Sequence, residues 1–222
     1  VATSHHVVLL ALRARAATLS VCTTGSVTLA ATTTGYTRTT GSFITDGFAP
    51  GMELTVAGFT SNPVDTLTRV EALTLTVATA RTAEAGNSGR TLSVGLPGTC
   101  VYENLPPVTA PVVGKPYVVE QYLPGPRGQH VFGGTGGLVD GFPQYLVTFY
   151  VPFKTQALAA FSYADALLTL FPPRQSITLS TGEMLRVRTD TGSYRSQLRT
   201  DGDSWAWVTA TIPLWLQTIN TI

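Results

Sequence analysis

Charge is what this sequence has least of: 14 Lys plus Arg and 13 Asp plus Glu among 222 residues, 12% in all, about half the ~25% of an ordinary soluble chain. A net charge of +1 excludes the broad basic surface that wraps a nucleic acid, because each neutralised phosphate needs its own cation. Cysteine is nearly absent as well. Cys22 and Cys100 stand alone, without the paired spacing of a zinc site,. They bracket a Thr-rich stretch, where a disulfide closing roughly 80 residues would contribute about 4 kcal/mol in the chain-entropy picture. A reducing cytosol would keep both as thiols. No apolar run approaches the ~18 residues of a membrane-spanning helix. The run Val7 to Leu12 ends on Arg13 and Arg15. Although Ala14-Arg15-Ala16 imitates a signal-peptidase site, so short a run argues for a product made in the cytoplasm without an export signal.

What is plentiful points to strands. Hydrophobic residues make up 44% and the mean hydropathy is +0.20, enough to bury a sizeable core and to exclude disorder. Thr is the commonest residue at 36, beside 21 Gly and 14 Pro, a mixture that favours extended segments and tight turns.

The composition shifts along the chain and divides it in three. Residues 1–17 hold a helix-forming run, His5 to Arg15, with Ser4 as a candidate N-cap,. From Thr18 to Gly98 apolar residues alternate with Thr, as in Ser26 to Ala30, Met52 to Val56 and Leu73 to Val77. Turn residues such as Gly35, Asp46-Gly47, Pro50-Gly51 and Asn87-Ser88-Gly89 interrupt them. That is the pattern of a small all-β sandwich or barrel. Beyond Pro97-Gly98 the aromatic content rises. Strands are expected at Tyr117 to Leu123 and Tyr145 to Val151, the latter so continuously apolar that burial on both faces follows. Leu158, Phe161, Ala164, Leu168 and Phe171 draw a helical stripe that Pro172-Pro173 ends,. Extended segments at Met184 to Arg188, Tyr194 to Arg199 and Trp205 to Trp215 follow. Because an amphipathic helix cannot bury its stripe alone, the first helix should pack on the C-terminal sheet. The expectation is an α+β core, a mixed β-sheet flanked by two helices and made of residues 1–17 and 99–222, with residues 18–98 an inserted β domain.

Chemistry-bearing motifs are sparse. His5 and His6 are adjacent on a helix and cannot form an i, i+4 metal pair, and His130 lies in a Gly/Pro-rich loop without a triad signature. Asp190-Thr191-Gly192 matches half of an aspartic-protease dyad, but that mechanism needs two carboxylates sharing a proton, and the preceding Arg186-Val187-Arg188 is unlike the approach to a buried dyad. Gly133-Gly134-Thr135-Gly136-Gly137 lacks the Lys-Ser or Lys-Thr of a phosphate loop. Asp201-Gly202-Asp203-Ser204 lacks the later Glu of a calcium loop. No catalytic, metal or cofactor residue is assigned, and a non-enzyme is expected. Arg186, Arg188, Arg195 and Arg199 either form a basic face, lining a channel or pairing with acidic groups, or simply face solvent. The loop Pro124 to Phe142 is long enough to reach a neighbouring molecule and Gln217 to Ile222 is apolar without shelter. Arg127, His130, Phe132, Leu138, Phe142, Ile219 and Ile222 are therefore the interface candidates.

The patches Glu120 to Pro126, Tyr145 to Val151, Ala164 to Leu167, Asp201 to Trp205 and Ile212 to Trp215, in that order, resemble the tail terminator proteins of long-tailed bacteriophages. The inserted stretch Gly41 to Met52 looks like a β module that recurs in phage structural proteins and that the simplest terminators lack. The resemblance implies a homohexameric ring in the virion, at the head-proximal end of the tail. The ring would cap the tube protein, stop its polymerisation, meet a head-proximal connector, and let DNA pass through its lumen without sequence-specific binding or any membrane contact. Another neck or minor tail structural protein carrying the same module is the alternative. A ring of this kind needs neutral surfaces that pair with neighbours, which a low charge count permits.

Overall fold

The computed structural model describes residues 5–61, 63–102, 110–129, 138–153 and 157–219. It opens with α1 (His5–Ala16), whose Val8, Leu12 and Ala16 are buried at the i, i+4, i+8 spacing of one helix face,. Ser4 lies outside the described residues.

Eight strands follow: β1 (Ser20–Thr23), β2 (Leu29–Thr32), β3 (Gly35–Arg38), β4 (Glu53–Ala57), β5 (Asp65–Val70), β6 (Thr74–Val77), β7 (Glu84–Asn87) and β8 (Thr91–Gly95). They pair antiparallel in the order β1-β8-β4-β5-β6-β3-β2-β7. Only residues 88–90 join β7, at one end of that order, to β8, next to the other. Three residues cannot cross a flat sheet of this width, so the sheet curls back on itself. Arg90 marks the closure: its Nη1 donates to the Leu29 and Ala85 carbonyls at 3.2 and 2.5 Å, its Nη2 to Glu84 at 2.7 Å, and its guanidinium lies 4.2 Å over the Phe59 ring. Inward residues of the alternating strands, among them Leu29, Tyr36, Leu54, Leu67, Leu75, Leu92 and Val94, fill the interior. Gly35 is required there, since a Cβ on it would meet the Leu75 carbonyl oxygen at 1.9 Å.

The second sheet has ten strands: β9 (Cys100–Tyr102), β10 (Tyr117–Leu123), β11 (Arg127–Gln129), β12 (Leu138–Gly141), β13 (Gln144–Pro152), β14 (Ser176–Thr178), β15 (Met184–Val187), β16 (Tyr194–Arg195), β17 (Arg199–Thr200) and β18 (Trp205–Ile219). The 15-residue β18 is its spine. β13 and β12 share one of its edges and β15, β16 and β17 the other, so its backbone is satisfied on both sides over most of its length. The segment expected as one strand from Tyr194 to Arg199 is thus two short strands.

These observations correct the expected fold class. Among the described residues two helices, of 12 and 13 residues, stand against eighteen strands in two large sheets. The chain is mostly β, not an α+β fold with a mixed sheet flanked by helices. The expectation gave weight to two helical stripes. β18, β15 and the short strands beside them turn most of the C-terminal half into sheet.

The second helix, α2 (Leu158–Leu170), packs on one face of this sheet with its ring of Tyr163 stacked 5.4 Å from Phe149. The face it buries matches the expected stripe in part: Ala164 and Phe171 are fully buried, and Phe161 and Leu168 pack half-buried against the core. Ala159, Ala160, Tyr163, Ala164 and Leu167 are buried, whereas Leu158 is 61% exposed and Phe161 lies under Arg195, 4.4 Å from its guanidinium. Alanines let the helix backbone approach the sheet beside Tyr163 and Leu167, and Leu158 is left outside,. α1 joins the same face through Glu120, whose buried carboxylate accepts from Arg13 Nε at 2.5 Å and from the Tyr145 hydroxyl at 2.6 Å. The two sheets meet at Tyr163, whose hydroxyl oxygen accepts the Glu53 backbone N–H at 2.9 Å. Cys22 and Cys100 are not disulfide-linked, and burial pushes the Cys22 thiol up to about 12.

Candidate functional site

Residues directly opposite each other in an antiparallel pair point to the same face. On β13, Tyr145, Val147, Phe149 and Val151 are buried while Leu146, Thr148 and Tyr150 are half-buried. On β18, Ala206, Val208, Ala210, Ile212, Leu214 and Leu216 turn toward α2, and Trp205, Trp207, Thr209 and Trp215 turn away. The continuously apolar run in β13 is therefore not buried on both faces, as its sequence suggested. One of its two apolar faces is left half-open.

The register assembles that outer face from three strands: Tyr117↔Tyr150↔Trp207, Val119↔Thr148↔Thr209 and Gln121↔Leu146↔Thr211. Its aromatics are organised. The Tyr117 and Tyr150 rings stack at 4.5 Å and 5°, Tyr150 stacks on Trp207 at 5.4 Å, and Trp205 meets Tyr117 edge-on at 4.8 Å, geometries that attract beyond area burial. Burial, the adjoining Tyr150 and the charge of Asp201 push the Tyr117 hydroxyl up to about 12, so this face carries no tyrosinate near neutrality. At its border the Asp201 Oδ1 accepts the backbone N–H groups of Asp203, Ser204 and Trp205 at 3.1, 2.9 and 2.9 Å. Those bonds hold the turn that starts β18 and draw the Asp201 carboxyl below its usual range.

Further along the same face lies a cavity of about 540 Å³ lined by Asp140, Phe142, Arg174, Arg186, Arg188, Asp190 and Trp215, among others. The four arginines singled out in the sequence do not form one face. Arg186 stands opposite Trp215 and Arg199 opposite Trp207 on the outer face, with the Arg186 guanidinium 5.5 Å over Trp215 and that of Arg188 5.1 Å over Phe142. Arg195 is opposite Ala210, on the helix side, and pairs with Asp165 at 2.5 Å. Arg188 is clamped on Asp190, with Nε donating to Oδ1 at 2.9 Å and Nη2 to Oδ2. The Asp-Thr-Gly carboxylate is thus an ion-pair acceptor in a turn.

Of the interface candidates, the backbones of Arg127 and Leu138 lie on β11 and β12, and Ile219 ends β18 opposite Leu138. Phe142 is half-buried beneath Arg188. His130, Phe132 and Ile222 lie outside the described residues. Sequence reasoning missed Tyr117 and Tyr150 as surface residues. The signal was present, since apolar side chains at both parities of one strand also describe a face awaiting a cover. It missed Arg174 altogether, for which no local pattern exists. Among the described residues no cluster of His, Cys, Asp and Glu could hold a metal ion, and no helix is long and apolar enough to cross a membrane.

No known protein family matches this chain, and no curated protein does. A solved structure titled Np_888769.1 is similar at 23% identity and a TM-score of 0.43, covering 56% of this chain and 81% of that one.

Proposed function

We propose that this chain is a structural component of a bacteriophage tail, a tail terminator that assembles as a hexameric ring on the end of the tail tube, stops its growth and joins it to the head-proximal connector. The observation that carries the reading is the half-open aromatic face of Tyr117, Tyr150, Trp205 and Trp207. A stacked aromatic surface of this kind, with Arg199 and Asp201 at its border, is poorly placed in water and suits a protein interface, where an aromatic centre carries a polar rim. The sequence resemblance supplies the kind of assembly. Ring closure needs a heterologous contact repeated around an axis, and termination is then steric, one ring face fitting the tube and the other offering no further tube-binding surface. The particle would carry the protein in its tail after synthesis in the host cytoplasm, with DNA passing through the lumen.

The mostly β build favours a second reading, because it departs from the α+β frame the resemblance implies. In that reading the chain is another neck or minor tail structural protein carrying the β module.

Light scattering after size exclusion, alone and with tube protein, tests the proposal. The expected result is a sixfold assembly or capture onto tube ends, lost in Trp207→Glu with the circular dichroism unchanged. A chain that stays monomeric and never joins tube ends overturns it. Density in an intact particle at a position other than one ring at the head-proximal tube end selects the second reading.

A further inference from the structure

The cavity beside Trp215 goes beyond ring assembly and stands without it. Its donors outnumber its acceptors. A guanidinium carries five N–H donors; Arg188 directs two of them at Asp190, while Arg186 lies over Trp215 with a 3.4 Å contact from Nε to the Met184 sulfur. Among the described residues no carboxylate pairs with Arg174 or Arg186. The clamp by Arg188 also lowers the Asp190 carboxyl, so that pair stays ionised and mutually neutral. Asp140 is 2% exposed in the wall and accepts from the Gln217 amide at 3.4 Å. Arg174 and Arg186 therefore stand at the cavity without a carboxylate partner among the described residues.

Arg174 is also the one described non-glycine residue with a positive φ, 67°, a conformation that costs roughly 1–3 kcal/mol and persists only where its surroundings impose it. They do so here: Pro172-Pro173 end α2, the Arg174 N–H donates to the Val187 carbonyl at 3.0 Å, and the Val187 N–H returns to the Gln175 carbonyl at 2.9 Å. The turn carries Arg174 to the cavity from one side while β15 brings Arg186 from another.

We propose that this cavity binds a phosphate-bearing nucleotide, free or as a residue of a DNA strand, through Arg174 and Arg186. Arginine donates to phosphate in a fixed fork, and two guanidiniums without carboxylate partners suit its anionic oxygens. A bare oxyanion would leave the Trp215 and Phe142 wall wet. At about 540 Å³ the cavity also has room for a sugar and base against that wall, as small-molecule sites combine an apolar lining with a few convergent polar groups.

Isothermal titration with inorganic phosphate, thymidine monophosphate and a short oligothymidylate, all at low salt, tests this. Thymidine monophosphate should bind more tightly than phosphate. Arg186→Gln, and Arg174→Gly, which keeps the left-handed backbone, should each weaken it roughly tenfold or more. Arg199→Ala, on the same sheet face but outside the cavity, should leave it unchanged. An oligothymidylate tighter than the mononucleotide, with a steep salt dependence, identifies a strand as the source; the reverse order identifies a free nucleotide. Absence of binding by all three probes, or an Arg199→Ala loss equal to that of the cavity variants, overturns the proposal.

Discussion

Tyr163 shows how much one atom can decide. Its ring is fully buried against Phe149, and its hydroxyl is the acceptor that ties the Glu53 N–H of the first sheet to a helix of the second. Tyr163→Phe keeps the ring and leaves that N–H without its acceptor, so urea unfolding should show a loss of about 1–2 kcal/mol. Burial as the leading cause also raises the Tyr163 hydroxyl far above its ordinary range, which keeps it neutral and able to accept. Asp201 behaves in the opposite sense. Because the three N–H groups of its turn lower its pKa in the fold, the unfolded chain binds the proton more readily. The stabilisation is present above the ordinary Asp range, about 3.9, and is lost as pH falls through the folded value. Measured against the rate of an unstructured amide at the same pH, hydrogen exchange at Trp205 should lose its protection as pH falls through the folded Asp201 value, and Asp201→Ala should lack that protection at every pH.

Among the elements, β18 and α2 mark how far local patterns reach. The alternation from Trp205 to Trp215 announces a strand, and the structure extends it to Ile219 with a partner on each edge. Nothing local says that the partners number five, since pairing depends on where distant segments arrive. In α2 the helix itself is legible from its apolar spacing and the Pro172-Pro173 stop, but its buried face is legible only in part. The expected stripe holds at Ala164 and Phe171, whereas close approach to the sheet adds Ala159, Ala160 and Tyr163 to the buried face and leaves Leu158 exposed. Gly35 is a similar case. As a sequence feature it reads only as a turn, whereas in the sheet it is where β3 meets the Leu75 carbonyl. Gly35→Ala should force the β3–β6 pair apart and lower the melting temperature by several degrees, consistent with a cost of about 1–3 kcal/mol for a domain of this size.

At the scale of the molecule, low charge takes on a location. The outer face of the second sheet holds Tyr117, Val119, Leu146, Tyr150, Trp205 and Trp207 together, with Arg199 opposite Trp207 and Asp201 by Tyr117 at its border and the cavity arginines farther along. One protein therefore offers an aromatic patch suited to a neighbour beside an arginine-lined cavity suited to a phosphate. A Trp207→Glu chain that fails to assemble yet still binds thymidine monophosphate would show that the two surfaces work independently.

The sequence by itself determined the helices near its start and before Pro172-Pro173, the strands at Tyr117 to Leu123, Tyr145 to Val151 and Trp205 to Trp215, and that the Thr-rich stretch would form antiparallel β structure. These follow from short-range alternation, turn residues and composition. Only the tertiary structure decided the balance between sheet and helix, which side of β13 faces water, and the gathering of Arg174, Arg186 and Trp215 around one cavity. Each of these depends on segments tens of residues apart reaching the same place, and burial belongs to that arrangement, not to any residue alone.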